Sequence, residues 1–236
     1  MASGLSGFHA VNQQTCIVIF VRSPDKGTVK TRLTAVLDQD TVVELYRRFV
    51  LDLLGTLSHG NFGLRICFYP AEAKRKVADW LGEEYVYAAQ RGRDLGERLE
   101  NAFLAAFAEG FRRVVIIGSD SPDLPGEILE EAVRSLALKD VVIGPSIDGG
   151  YYLIGFNADR FLTKVFRGID WGTPTVFQRT MGVLSRHSYD VRVLRQWRDI
   201  DTYEDLVAFV REHELTPAGR LLTLDFLRTC EKTRER

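Results

Sequence analysis

The segment CIVIFVRSPDKGTVKTR, residues 16–32, carries the pattern that decides the fold class. Its first part, Cys16–Val21, is an unbroken apolar run, and such a run indicates a strand that is buried on both faces of a sheet. A polar loop with four Lys or Arg residues follows this strand directly. In α/β proteins ligands bind where loops leave the carboxyl ends of strands, so the loop is a candidate binding site.

Strands and helices alternate along the rest of the chain. Short apolar runs predict strands at Cys16–Val21, Leu64–Tyr69, Tyr85–Ala89, Val114–Gly118, Val141–Gly144, Tyr151–Phe156 and Val191–Leu194. Apolar residues at helical spacing predict helices at Thr41–Leu57, Ala71–Leu81, Leu95–Phe107, Gly126–Leu138, Thr175–Arg186 and at residues 202–213 and 217–231. This order predicts an α/β fold in which a mainly parallel sheet lies between two layers of helices.

Composition excludes several classes of protein. The 236 residues are 45% hydrophobic and 27% charged with a formal net charge of −1, which is typical of a globular protein without a basic surface for nucleic acid. Every apolar run is far too short to span a membrane, and residues 1–14 lack the Lys or Arg that begins a signal peptide. We therefore expect a cytoplasmic protein with no nucleic-acid or membrane partner. A flexible leader at residues 1–14 and a single domain over residues 15–236 are predicted.

The three cysteines are odd in number and far apart, so they predict neither a disulfide framework nor a zinc site. Cys16 and Cys67 lie in apolar runs, which favours buried core thiols.

The loop after the first strand offers a site for phosphate. Arg22, Lys26, Lys30 and Arg32 crowd this loop around a flexible Gly27. Four neighbouring cations repel one another unless an anion lies between them, and backbone N–H groups at the start of the next helix would add to the attraction. A solvated basic loop is the alternative. Neither a Walker sequence nor a GxGxxG turn is present.

The loop at residues 90–98 is a second candidate for contact with a nucleotide. Gly92 and Gly96 would allow the backbone to approach a base or ribose closely, and Asp94 would contribute a carboxylate. Capping of the following helix would explain Asp94 equally well.

Acidic residues follow the predicted central strand Val114–Gly118. Asp120 lies where this strand ends, opposite the basic loop, so its carboxylate would repel phosphate unless it held Mg²⁺ or Mn²⁺. One of Asp199 and Asp201, which alternate about Ile200, would complete the metal site. Initiation of a Ser-Pro-Asp turn is the alternative for Asp120, and turn formation is the favoured interpretation of Asp123.

Two further loops carry weaker signals. Asp148 and Gly149 precede a predicted strand, and they form either a substrate-contacting pocket wall or an ordinary hairpin turn. Asp170 and Trp171 could face an acceptor.

At these residues the chain resembles the nucleotide-diphospho-sugar transferase superfamily with the GT-A fold. Lys30–Leu33 (KTRL) is similar to the basic signature of phospholactate guanylyltransferases. Ser119–Pro122 is similar to the Gly-Asp-x-Pro metal motif of sugar-phosphate and molybdenum-cofactor nucleotidyltransferases, and Asp199–Leu206 (DIDTYEDL) is similar to the ending of the latter. The ordered set KTRL, DLGERL, GSDSPDLP and DGGYYLIG resembles a bacterial branch named radical-SAM/selenodomain-associated or arsenosugar-biosynthesis glycosyltransferases.

The resemblance covers roughly residues 16–210 and carries structural expectations. It implies a three-layer α/β/α fold around a mainly parallel, mixed sheet, with one antiparallel strand near Tyr151–Phe156. It also implies Mg²⁺ or Mn²⁺ on Asp120. The chain departs from the family pattern where Ser23–Gly27 (SPDKG) replaces the usual Gly-x-Gly-Ser/Thr-Arg loop, and where the DxD of many glycosyltransferases is stretched to Asp120–Asp123.

These features predict a metal-dependent transferase that uses a nucleoside triphosphate or a nucleotide-sugar and a small-molecule acceptor. Lys30, Arg32 and Asp120 are the predicted catalytic residues. Nucleotidylyl transfer to a small phosphorylated acceptor is slightly favoured, because several cations suit a triphosphate and its departing pyrophosphate. Glycosyl transfer from a nucleotide-diphospho-sugar is the close alternative, and a non-catalytic nucleotide-binding protein is the alternative of another class.

Overall fold

A computed structural model describes residues 14–215 and 220–234 and contains the predicted succession of elements. The strands are β1 (Thr15–Arg22), β2 (Gly63–Tyr69), β3 (Val86–Ala89), β4 (Arg113–Ile117), β5 (Val141–Pro145), β6 (Tyr151–Asn157) and β7 (Val191–Val193). The helices are α1 (Gln39–Leu57), α2 (Lys74–Leu81), α3 (Leu95–Ala108), α4 (Gly126–Ser135), α5 (Val176–Arg186), α6 (Tyr203–Leu215) and α7 (Leu222–Arg234).

The structure differs slightly from the predicted bounds at the starts of two helices. The predicted helix Ala71–Leu81 begins as a 3₁₀ turn over Ala71–Ala73 before α2. The last helix begins at Leu222 rather than residue 217, and residues 216–219 lie outside the described residues. Of the predicted leader only Gln14 is described, and its carbonyl accepts hydrogen bonds from the backbone N–H groups of Arg112 and Arg113.

The strands form one mixed sheet in the order β3-β2-β1-β4-β6-β5-β7. Among the described strands β6 alone runs antiparallel to its neighbours, β4 and β5, and the remaining pairs are parallel. The mixed sheet and the place of its antiparallel strand, both implied by the resemblance, are therefore confirmed.

Alternate residues of β1 enter two apolar layers, which explains the unbroken apolar run. Ile17, Ile19 and Val21 pack beneath α1, α2 and α4, whereas Cys16 and Val18 pack beneath α3 and α5. Burial raises the pKa of the Cys16 thiol to about 11. Like Cys16, Cys67 is a free, buried thiol, as predicted.

The carboxyl-terminal helices add a further layer outside α1. Val42, Leu45 and Phe49 of α1 pack against Phe209 of α6 and Leu224 of α7. This packing also carries the segment between β7 and α6 back toward the carboxyl ends of the central strands. Within the described ranges, no helix has both the length and the apolar character needed to cross a bilayer.

Asp52 of α1 anchors the start of α7 and provides a test of this packing. Its buried carboxylate accepts hydrogen bonds from the backbone N–H groups of Leu222 (2.7 Å) and Thr223 (2.9 Å). We expect Asp52→Ala to lower the free energy of unfolding by about 1–3 kcal/mol, because it leaves helix-terminal donors without a partner. Thermal and urea unfolding measure the change. Asp79→Ala, at an exposed carboxylate of α2, is the control and should shift stability by less than about 0.5 kcal/mol; equal effects of the two variants would contradict the proposed anchor.

Candidate active site

A crevice opens where β1 and β4 end side by side in the middle of the sheet, and it encloses a cavity of about 570 Å³. After β1 the chain continues to β2 and β3 on one side, and it later returns to β4 on the other side. The loops that leave β1 and β4 therefore diverge, which is the usual place for a ligand in open α/β sheets. The crevice is lined by the loop after β1, the loop after β4, the first turn of α3 and the segment before α6.

An ion-paired lysine lies at the polar end of the crevice. The Nζ of Lys30 is 2.5 Å from Oδ1 of Asp120 and 2.8 Å from Oδ1 of Asp201. The lysine side chain is only 3% exposed, whereas both carboxylates are 43% exposed. Residues from three distant parts of the chain therefore share one charged contact that faces the crevice.

The two carboxylates keep Lys30 charged despite its burial. Burial alone would lower the pKa of Lys30, but the charges of Asp120 and Asp201 outweigh it and raise this pKa above its usual value. Burial likewise would raise the pKa of Asp201, but the charge and hydrogen bond of Lys30 hold it below its usual range. Lys30 and Asp201 are consequently both ionised at neutral pH.

Asp199 lies two residues before Asp201 and has a different environment. Its carboxylate accepts a hydrogen bond from Ser121 Oγ at 2.8 Å. Burial, and then the nearby charge of Asp120, raise the pKa of Asp199 to about 7. The backbone N–H of Ile200 donates to the carbonyl of Asp120, which pins the whole 199–201 segment to the loop after β4.

The described residues contain no group of three or more acidic, His or Cys side chains arranged to hold a metal. Mg²⁺ nevertheless needs only one or two carboxylates when substrate phosphates and water complete its shell. Asp120 and Asp201, which bind the same ammonium and remain partly exposed, fit that requirement. Asp199, which accepts a hydrogen bond from Ser121, is a carboxylate adjacent to Asp120 and Asp201.

Three guanidinium groups, those of Arg22, Arg32 and Arg98, line the crevice. Within the described part of the chain none of them forms an ion pair with a carboxylate. The guanidinium of Arg98 lies 3.9 Å from the ring centre of Tyr69, and its Nε donates to the carbonyl of Gly92 at 3.2 Å. Unpaired guanidinium groups at a crevice favour an anionic ligand.

Arg98 is absent from the sequence-based set of site residues, although a signal for it exists. It lies in the first turn of α3, where the helix dipole disfavours a cation. Helix stability therefore does not explain a cation at this position.

Lys26 and Gly27, both predicted to bind phosphate, lie outside the residues that line the crevice. The ammonium of Lys26 forms an exposed ion pair with Asp40 at 2.7 Å. Gly27 occupies a tight turn at φ +74°, closed by a hydrogen bond from the N–H of Thr28 to the carbonyl of Asp25. Three of the four cations of this loop, those of Arg22, Lys30 and Arg32, therefore line the crevice, and Lys26 does not.

The loop at residues 90–98 contributes Asp94 and Arg98 to the crevice, but not its two glycines. Asp94 accepts a hydrogen bond from the N–H of Glu97 at 2.8 Å and so caps α3. Gly92 adopts φ +144°, a conformation that favours glycine. Gly96 is buried against the carbonyl of Phe166 and the ring of Trp171, so its small size serves packing.

Asp148 and Gly149 form the hairpin between β5 and β6 and do not line the crevice. The carboxylate of Asp148 accepts hydrogen bonds from Ser146 Oγ (2.5 Å) and from the N–H of Gly150 (2.9 Å), and Gly149 adopts φ +91°. Asp123 likewise has a structural contact, because its carboxylate accepts a hydrogen bond from Trp197 Nε1 at 3.1 Å.

Comparison with known proteins shows the family to which this chain belongs. Residues 53–173 match the model of a family described as an uncharacterized protein conserved in bacteria (DUF2064). A solved structure from Desulfovibrio desulfuricans, described as a "putative nucleotide-diphospho-sugar transferase", is 42% identical, with a TM-score of 0.90 over 93% of this chain and 96% of that one. The chain belongs to the DUF2064 family.

More distant structures share the fold of this DUF2064 chain. They include a 4-diphosphocytidyl-2C-methyl-D-erythritol synthase from Anaerococcus prevotii (12% identity, TM-score 0.54, covering 84% and 97% of the two chains). A manganese complex of a Mycobacterium tuberculosis protein is also similar (14% identity, TM-score 0.52, covering 84% and 99%). A search of curated proteins found no match. The Desulfovibrio desulfuricans structure, at 42% identity, confirms the resemblance to the nucleotide-diphospho-sugar transferase superfamily.

Gly96 allows a test of how closely α3 must pack against Phe166 and Trp171. A Cβ added at Gly96 would overlap the carbonyl of Phe166 and lie 2.8 Å from Trp171 Nε1. We expect Gly96→Ala to destabilise the fold by about 1–3 kcal/mol, as overpacking does elsewhere. Gly55→Ala is the matched control, because Gly55 lies in α1 with nothing within 4 Å of the added Cβ, and it should be neutral or stabilising by up to about 1 kcal/mol. Chemical denaturation of both variants compares the two sites, and an unchanged Gly96→Ala protein would contradict the packing role.

Proposed function

We propose that the chain is a transferase that uses an activated nucleotide together with Mg²⁺ or Mn²⁺, and that it transfers a nucleotidyl group to a small phosphorylated acceptor. The observation that carries the proposal is the set of three unpaired guanidinium groups beside the Lys30 ion pair. The four cations that line the crevice outnumber its three carboxylates. A polyphosphate is a ligand that such a surface would bind strongly.

The comparisons support this class of reaction. The Desulfovibrio desulfuricans protein, at 42% identity over nearly the whole chain, is described as a "putative nucleotide-diphospho-sugar transferase". The fold shared with the cytidyl-group synthase from Anaerococcus prevotii is compatible with either nucleotidyl or glycosyl transfer.

Asp120 and Asp201 are the residues that would hold the metal ion, with Asp199 as an adjacent carboxylate. Their oxygen donors suit Mg²⁺ and Mn²⁺, and their partial exposure leaves them open to the crevice. When bound, such an ion neutralises phosphate charge and so eases the approach of two anionic substrates.

The side chains of the crevice then have separate tasks. Arg22, Arg32 and Arg98 bind phosphate oxygens and stabilise the charge that develops on the leaving group. Lys30 positions Asp120 and Asp201, and Asp94 offers a carboxylate to a ribose hydroxyl from the first turn of α3.

Catalysis on this arrangement is mainly positioning and charge stabilisation. An oxygen of the acceptor phosphate attacks the α-phosphorus of the nucleotide, the new P–O bond forms, and the bond to the β-phosphate oxygen breaks in line. The electron pair of that bond leaves with pyrophosphate, beside the guanidinium groups.

Glycosyl transfer from a nucleotide-sugar is the second candidate. The description of the Desulfovibrio desulfuricans protein favours it, and the same guanidinium groups would bind a diphosphate. In that reaction a nucleoside diphosphate, rather than pyrophosphate, leaves the site.

One assay separates these reactions. The protein is incubated with each of the four common nucleoside triphosphates, Mg²⁺ or Mn²⁺ and a panel of small phosphorylated acceptors, and separately with nucleotide-sugars. Release of pyrophosphate supports nucleotidyl transfer, and release of nucleoside diphosphate supports glycosyl transfer. Asp120→Asn should reduce turnover at least about 100-fold, since it weakens charge stabilisation at the reacting centre. Nucleotide binding without turnover of any acceptor would instead favour a non-catalytic binding protein.

Arg98 provides a binding test with a matched control in the same loop. We expect Arg98→Ala to raise the dissociation constant for a nucleoside triphosphate about tenfold or more, because a hydrogen bond to a charged group contributes about 1.5–3 kcal/mol. Arg93→Ala should have little effect, since the Arg93 side chain is 91% exposed and paired with Glu97. Isothermal titration calorimetry compares the variants at one salt concentration. Equal affinities for the two variants would remove Arg98 from the proposed site.

A further inference from the structure

Lys30 has a second consequence for the site, beyond holding two carboxylates in place. We propose that Lys30 competes with a divalent metal ion for Asp120 and Asp201, so that the metal binds tightly only together with a polyphosphate. The inference rests on the function proposed above and adds an order of binding to it.

The competition follows from the atoms that the ammonium contacts. Nζ of Lys30 lies 2.5 Å from an oxygen of Asp120 and 2.8 Å from an oxygen of Asp201, so it occupies one acceptor on each carboxylate. A divalent cation that bound both carboxylates would lie close to this positive charge and be repelled by it. The ammonium and a dication held by the same two carboxylates therefore weaken each other's binding.

Lys30 is held firmly in its position by the surrounding fold. Its backbone adopts the left-handed conformation (φ 46°, ψ 42°), which is uncommon for residues other than glycine. The neighbouring Val29 and Leu33 are both buried and anchor the loop, and the ring of Phe49 lies 5.7 Å from Nζ. Such backbone conformations persist when the surroundings impose them, and they are frequent at functional sites.

A bound polyphosphate changes the balance, because it gives Lys30 another anionic partner. Lys30 and the guanidinium groups of Arg22 and Arg32 line the same crevice. A phosphate oxygen in that crevice can accept a hydrogen bond from the ammonium and free carboxylate oxygens for the metal. Binding of metal and of polyphosphate then becomes mutually favourable, and linkage requires that the effect be reciprocal.

The test compares Mn²⁺ binding to the wild-type chain and to Lys30→Gln, which removes the charge but keeps a hydrogen-bonding side chain. Electron paramagnetic resonance of free Mn²⁺ measures the affinity for the metal alone, and isothermal titration calorimetry measures the affinity for the preformed complex of Mn²⁺ with inorganic tripolyphosphate. We expect Lys30→Gln to bind Mn²⁺ alone at least about tenfold more tightly than the wild type, a coupling within the usual range. We also expect the ratio of the affinity for the complex to the affinity for Mn²⁺ alone to be smaller in this variant than in the wild type.

Lys30→Arg is the control for charge. It keeps a cation at the same place, so its affinity for Mn²⁺ alone should stay within about threefold of the wild type, well inside the tenfold change expected for loss of the charge. Equal Mn²⁺ affinity of the wild type and Lys30→Gln would overturn the inference, as would tight Mn²⁺ binding by Lys30→Arg.

A measurement on the unaltered protein covers the case in which Lys30→Gln does not fold. With ¹⁵N-labelled lysine, the Nζ resonance of Lys30 should stay in place when Mg²⁺ alone is added and shift when Mg²⁺ is added with tripolyphosphate. A saturable shift with Mg²⁺ alone would contradict the inference. Failure of the proposed function gives a different result, because the wild-type protein would then turn over neither a nucleoside triphosphate nor a nucleotide-sugar, whatever the effect of Lys30→Gln on Mn²⁺ affinity.

Discussion

The ion pair of the buried Lys30 ammonium with Asp120 and Asp201 is the contact on which the geometry of this site depends. A buried charge without partners is strongly unfavourable, and removing one partner of such a pair typically costs about 3–5 kcal/mol. The loop after β1 must therefore meet both the loop after β4 and the segment before α6, which lies 171 residues further along the chain. A single charge requirement joins three distant segments at one crevice.

The sheet supplies the space that this contact borders. Since β1 lies between β2 and β4, the connections from β1 and β4 leave in different directions and separate at their carboxyl ends. The carboxyl-terminal segment is brought to this place by packing rather than by the sheet. Ile200 is buried with α1, α6 and α7, so the residues on either side of it are directed toward different partners: Asp199 toward Ser121 and Asp201 toward Lys30.

Part of the candidate site can be read from the sequence, because residues at strand ends are local features. The positions of Lys30 and Asp120, each after a buried apolar run, predict that a cation and a carboxylate lie at the same edge of the sheet. The ion pair of Lys26 cannot be predicted in this way. It lies in the same loop as Lys30, yet it pairs with Asp40 at the start of α1, and only the folded chain brings that carboxylate within reach. Arg98 shows the opposite case. Its guanidinium contacts the ring of Tyr69 and the carbonyl of Gly92 rather than a carboxylate, and only the folded structure shows this.

The sequence by itself determined the order of strands and helices, the doubly covered central strand and the loops in which charged residues concentrate. These depend on periodicity and on turn residues, which act over a few positions of the chain. The tertiary structure decided which charges neutralise one another, which glycines serve packing, as Gly96 does, and which guanidinium groups remain open to a ligand. Those outcomes depend on distances between side chains far apart in the sequence, because electrostatic and steric interactions act through space and not along the backbone.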